Sequence, residues 1–123
     1  MMSKHTPTNI VLHQKTRRLE VSFEGDESFM LPCEYLRVHS PSAAVRGHGR
    51  GQEVLQLDKE AVNIVAIEPV GNYAVKIFFD DGHNTGLYDW DLLYTLGKHQ
   101  DELWQDYLRR LKEAGHPHSQ LQE

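Results

Sequence analysis

The stretch that decides the fold is "NIVAIEPVGNYAVKIFFDDGHNTGLYDWDLLYTL", Asn63 to Leu96. Two apolar runs flank the turn "GN", and in the second, Tyr73, Val75, Ile77 and Phe79 share one face at the two-residue period of a strand. "DDGHN" then turns the chain into a short strand within "TGLYDW". Asp-Asp-Gly suits a hairpin turn, because Gly82 reaches positive φ and aspartate caps backbone amides. Asp89 stands where the helix "WDLLYTL" needs an N-cap, and Gly97 is expected just past its end as the C′ residue.

Upstream, "TNIVLHQ" (Thr8–Gln14) and "RLEVSFE" (Arg18–Glu24) read as a hairpin, with Leu19, Val21 and Phe23 alternating with polar residues. "GDES" turns into a third short strand, "FML", and Pro32 opens a short helix through Val38 as a favoured first helical residue. From Ser40 to Gln56 glycine and small residues dominate, which reads as an exposed loop. Its length is unusual for a compact domain and is more typical of functional loops. Downstream, Leu103, Trp104, Tyr107, Leu108 and Leu111 form the apolar stripe of a final helix from about His99 to Ala114, expected to face the sheet. Gly115 and Pro117 stop it, and the rest is expected to fray. The fold class expected is α+β: an antiparallel sheet with short helices and a C-terminal amphipathic helix packed on it. One domain spans residues 7–115, with tails at 1–6 and 116–123.

Bulk properties exclude several classes. The 123 residues suit a single domain, and 39% hydrophobic with 25% charged residues is an ordinary globular composition. A net charge of -5 offers no field for nucleic acid. No apolar run approaches the roughly 20 residues that cross a bilayer. "MMSKHTPTNI" lacks the apolar core of a signal peptide, so a cytoplasmic location is expected. One cysteine, Cys33, forbids an internal disulfide and suits a reducing compartment.

Each chemical candidate has a plain structural use beside it. His83 sits just past a turn, but one imidazole is not a metal site, since zinc needs four donors or three and water. "GHGRG" (Gly47–Gly51), with Arg46 and Arg50, either cradles an anion or is a flexible surface loop; it lacks the Gly-Lys-Ser/Thr of a phosphate-binding loop. The eight histidines are scattered, and His116 and His118 fall in the tail. Cys33 at a helix start reads as a small buried residue, with its thiol lowered slightly at most by the helix dipole. Trp90, with Tyr88 beside it, either packs in the core or anchors a partner, as tryptophan often does at interfaces. His48, His83 and Asp81 would line a catalytic cleft only if "GHGRG" met "DDGH" in the fold.

Together, "PTNIVLHQKTRRLEVSFE", "LPCEYLRVHSPSAAVRGHG" and "VNIVAIEPVGNYAVKIFFDDGHNTGLYDWDLLYTLG" resemble the gamma-butyrobetaine hydroxylase-like N-terminal domain family, over residues 7–115. The resemblance implies a stand-alone bacterial domain without an assigned activity. In the carnitine-pathway hydroxylases such a domain precedes a separate iron- and 2-oxoglutarate-dependent catalytic domain. The oxidation chemistry belongs to that second domain and is not carried over. The resemblance also implies a partner, an iron–sulfur scaffold ATPase of the Mrp type, and a possible homo-oligomer.

Zinc-binding members of that family resemble one another in a Leu-Arg-Asp-x-Cys-x-Cys-x-x-Cys motif and a later histidine. Here "LRVHSPSAAV" stands in its place, with Ser40, Ser42 and Val45 at the thiolate positions and His83 at the histidine. No metal is therefore expected, and any zinc or iron would need a rebuilt set from His83, His39, His48 and Cys33. The function expected is a small non-catalytic accessory or protein-interaction domain. The alternative is a zinc- or iron-binding accessory to iron–sulfur assembly.

Overall fold

The alternating residues of "RLEVSF" and the run "AVKIFF" each build the centre of a separate sheet. In the computed structural model, residues 6–41, 57, 59–116 and 118 are described. Strands β1 (Pro7–His13), β2 (Arg18–Phe23) and β3 (Glu27–Pro32) form one antiparallel sheet in the order β1-β2-β3. Strands β4 (Ile64–Val70), β5 (Ala74–Phe79) and β6 (Leu87–Asp89) form a second, in the order β4-β5-β6. Helix α1 (Cys33–Val38) follows β3, and α2 (Trp90–Lys98) and α3 (Gln100–Glu113) close the described chain. The class is α+β, with the strands divided between two sheets.

The pleat explains the core. Leu19, Val21 and Phe23 point inward from β2, and Val75, Ile77 and Phe79 from β5. They join Leu31, Tyr35, Leu36, Ile64, Tyr88, Leu93 and Leu96 in one apolar cluster shared by both sheets, α1 and α2. Two side chains stitch the sheets directly: the Gln14 amide donates to the Ile64 carbonyl at 3.0 Å, and the Asn63 amide to the Gln14 carbonyl at 3.0 Å.

Asp89 caps α2 as expected, its carboxylate accepting from the Leu92 amide at 2.8 Å. Four local expectations are corrected. Pro32 ends β3 with extended φ/ψ and precedes the helix instead of beginning it. Tyr73 lies before β5 in the turn, 50% exposed, so the inward face of that strand starts at Val75. Gly97 is inside α2 and not its C′ residue: the helix runs on to Lys98, and a Cβ at Gly97 would overlap the Phe29 ring of β3. The C-terminal helix packs chiefly on α2 and, through Tyr107 and Leu111, on Val38 of α1, so its stripe meets helices more than sheet.

The segment expected to fray carries a fifth correction. His118 is only 4% exposed, with Nε2 2.9 Å from a Glu34 carboxylate oxygen of α1 and its ring edge-on to Trp104. An imidazole paired with a carboxylate and set against an aromatic ring has a physical reason to be buried at this point.

Gly97→Ala measures how closely β3 and α2 approach. Alanine gains about 1 kcal/mol of helix propensity, but overpacking of a filled site costs about 1–3 kcal/mol. The overlap reaches atoms at the base of the Phe29 ring, which turning the ring does not relieve. Urea denaturation is expected to show a less stable variant; an increase in stability would show that β3 yields.

Candidate functional site

The chemistry-bearing side chains gather where the end of α1 meets the β5–β6 turn. The turn closes tightly, the Gly82 amide donating to the Phe79 carbonyl at 3.1 Å and the Phe79 amide to the His83 carbonyl at 3.0 Å. Gly82 takes φ +91, which explains the glycine. Asp81 Oδ1 accepts the His83 amide at 3.1 Å, so the turn also caps itself.

From α1, Arg37 reaches across to Asp81. Its Nε donates to Asp81 Oδ2 at 2.8 Å, and Lys59 Nζ reaches the same oxygen at 2.8 Å. Arg37 is 7% exposed and Asp81 more open to solvent, so this pair is a part-buried tether between α1 and the turn. Burial pushes the Asp81 carboxyl up, but hydrogen bonds from Lys59, the His83 amide and Arg37 outweigh it and hold the group at about 2.

Two residues past the end of α1, Ser40 Oγ lies 2.9 Å from His83 Nε2. Ser40 is 1% exposed, and a Cβ at Gly86 would overlap its hydroxyl, so Gly86 leaves the room it occupies. Tyr88, fully buried on β6, donates its hydroxyl to the Leu36 carbonyl at 2.6 Å. Burial first, then the Arg37 charge, pulls the His83 imidazole below its ordinary value.

The remaining candidates have structural uses of their own. Cys33 is fully buried, its thiol 3.6 Å from Asn63 Oδ1, and burial pushes it up to about 11, far from a reactive thiolate. His39 Nδ1 donates to the Tyr35 carbonyl at 2.9 Å, and its ring packs on that of Tyr35. Tyr88 and Trp90, considered as partner anchors, both sit in the core; Trp90 donates its indole proton to the Asn72 carbonyl at 2.7 Å. His48, Arg46 and Arg50 lie outside the described residues. Among the described residues, no group of three or more His, Cys, Asp and Glu side chains is placed to hold a metal ion. Nor is any described helix long and apolar enough to cross a membrane.

The zinc set implied by the sequence resemblance does not fit these side chains. Ser40 is a neutral hydroxyl bonded to the very imidazole that would share the metal. Ser42 and Val45 lie outside the described residues, and neither hydroxyl nor hydrocarbon replaces a soft anionic thiolate. Sequence reading missed the Arg37–Asp81 tether and His118. An arginine on a short helix whose other residues, Glu34 apart, are apolar or aromatic was the one available signal for the first.

Fold and site define a small α+β domain whose polar residues at this junction bond to one another. The chain belongs to the gamma-butyrobetaine hydroxylase-like N-terminal family, whose sequence profile matches residues 10–94. Two proteins solved by NMR in solution superpose with TM-scores of 0.81 and 0.78, at 48% and 52% identity. Those matches each cover 94% of this chain, and 90% and 88% of the other two. A crystal structure of a protein of unknown function in the DUF971 family, from Acidithiobacillus ferrooxidans, superposes with a TM-score of 0.63 at 35% identity. It covers 75% of this chain and 92% of its own. No curated protein matches the chain.

The Asp81 tether predicts an acid limb. A carboxyl held below its ordinary 3.8 contributes stability that is present above that value and lost as pH falls toward about 2. After discounting for solvent screening, Asp81→Asn is expected to cost on the order of 1–2 kcal/mol at pH 7. The cost should shrink toward about pH 2, where the wild-type carboxyl is itself partly protonated. An equal loss at both pH values in urea titrations would refute the assignment.

Proposed function

We propose that this chain is a non-catalytic accessory domain that works by binding another protein. The observation that carries the reading is the junction itself: Arg37, Ser40, Asp81, His83 and Tyr88 are spent on holding α1 to the β5–β6 turn. A catalytic constellation needs a nucleophile or base facing a space for substrate, whereas Ser40 is buried and Asp81 is held by two cations.

Exposed apolar side chains concentrate on the second sheet. Val65 on the edge strand β4, Tyr73 in the β4–β5 turn and Leu87 on β6 are all large and solvent-facing. Scattered exposed residues need no explanation, but three on one sheet and its turn offer apolar anchors with a polar surround. The family resemblance supports an Mrp-type iron–sulfur scaffold ATPase as the partner, with a second copy of the chain as the other occupant. On this reading the domain holds no resident zinc or iron and resides in the cytoplasm.

Leu87→Asp combined with Tyr73→Asp tests the surface without touching the core. Titration of a purified Mrp-type ATPase is expected to give saturable binding with the wild type, at least tenfold weaker with the double variant. Light scattering on the same preparations reports self-association. A strict monomer that gives no binding isotherm sinks the interaction reading. Metal analysis of tag-free protein is an independent test: stoichiometric zinc or iron, lost in His83→Ala, would replace this proposal with the metal-binding accessory.

A further inference from the structure

Among the described residues the two sheets have four edge strands, β1, β3, β4 and β6. Three of them carry the guards that sheets use against a further strand. Helix α2 packs on β3, which ends at Pro32. β6 is three residues long, and β4 shifts register after Ile64 and carries Glu68 and Pro69. β1 differs. After a shift at its start, its register with β2 is regular from Asn9 to His13, a run without proline, lysine, arginine or carboxylate. No described strand pairs with its outer side, so alternate residues there present backbone N–H and C=O groups outward. Ile10 and Leu12 pack against the core yet stay half-buried, so the core is incompletely covered along this edge.

The turn after β1 supplies charge. Lys15, Arg17 and Arg18 are exposed, and none of their side chains makes a hydrogen bond or ion pair with a described residue. The neighbouring Glu20 is engaged with His13 at 2.9 Å. Arg17 holds φ +55, a conformation that favours glycine or asparagine, so a long cation stands where the backbone alone would select a smaller residue. Its carbonyl accepts the Cys33 amide at 2.9 Å, which pins the turn to the start of α1.

We infer that the free edge of β1, with the basic turn that follows it, is a strand-addition site for an extended acidic segment of a partner protein. Both pairings in this sheet are antiparallel, so the incoming strand runs from the basic turn toward Pro7. Its carboxylates then come first, beside Lys15, Arg17 and Arg18, and every second residue after them is apolar and covers Ile10 and Leu12. The inference rests on the protein-binding reading above but uses a surface separate from Val65, Tyr73 and Leu87.

The probe is a dye-labelled peptide, Asp-Glu-Asp-Val-Thr-Val-Thr-Val, titrated into 15N-labelled full-length protein. Saturable binding is expected, weakened by salt, with amide shifts and slowed hydrogen exchange concentrated in β1. Lysines in place of the three acids, or the same residues in reverse order, are expected to weaken binding about tenfold. Lys15→Glu combined with Arg18→Glu, both at exposed side chains, is expected to transfer the preference to the lysine peptide. Leu87→Asp with Tyr73→Asp is expected to bind the acidic peptide as the wild type does, so this test and the ATPase titration fail separately. No saturable binding, shifts confined to the second sheet, or loss of binding in that double variant overturns the inference. So does protection of the β1 amides in the free protein, and protection that grows with protein concentration assigns the edge to a second copy instead.

Discussion

A six-residue helix cannot persist alone, because a helix that short barely covers the entropy of its first turn. Helix α1 exists because two fully buried tyrosines bracket it. Tyr35, on the helix, donates its hydroxyl to the Leu96 carbonyl of α2 at 2.7 Å, and Tyr88, on β6, donates to the Leu36 carbonyl at 2.6 Å. Each hydroxyl enters the core only because it finds a carbonyl there, and leaving one unpaired would cost about 1–3 kcal/mol. One bond ties the helix to α2 and the other ties it to the second sheet. Since α1 follows the first sheet directly, it is the piece through which both sheets and α2 are held in register.

The candidate site is the third support of that same helix. The Arg37–Asp81 pair and the Ser40–His83 bond fasten its C-terminal end to the turn before β6. A metal with three thiolates and an imidazole would meet the same mechanical need with four strong bonds. Here a part-buried ion pair and the Ser40–His83 hydrogen bond join the two elements.

What the sequence discloses follows from the range of the interactions. The alternation in β2, the hairpin turn at Gly82 and the Asp89 cap depend on residues within a few positions of each other, and they are legible. Gly97 resembles a helix end because nothing near it in sequence reveals that Phe29 arrives from β3. Tyr73 resembles a core residue because the period of a strand does not say where the strand begins. His118 reads as part of a loose tail because its partner, Glu34, is 84 positions away. In sequence, Ser40 and His83 are paired only through the family motif; their direct bond needs the fold. Arg37 gives little signal of its own, since its partner, Asp81, has a sufficient local use as a turn residue.

Charge at the junction bears on which of the two functional readings the fold favours. Asp81 accepts from Arg37 and Lys59 on one oxygen, so one negative charge is shared by two positive ones. Removing Asp81 would take that partner from the buried Arg37 guanidinium, which is costly because a buried ion has little water to turn to. That cost keeps both cations in place beside His83, and at such short range their repulsion of a third cation is not screened as it would be in bulk water. Thiolates would supply the negative charge that offsets such repulsion, whereas hydroxyls supply none. That charge balance is one support for the proposal that the domain works by binding another protein.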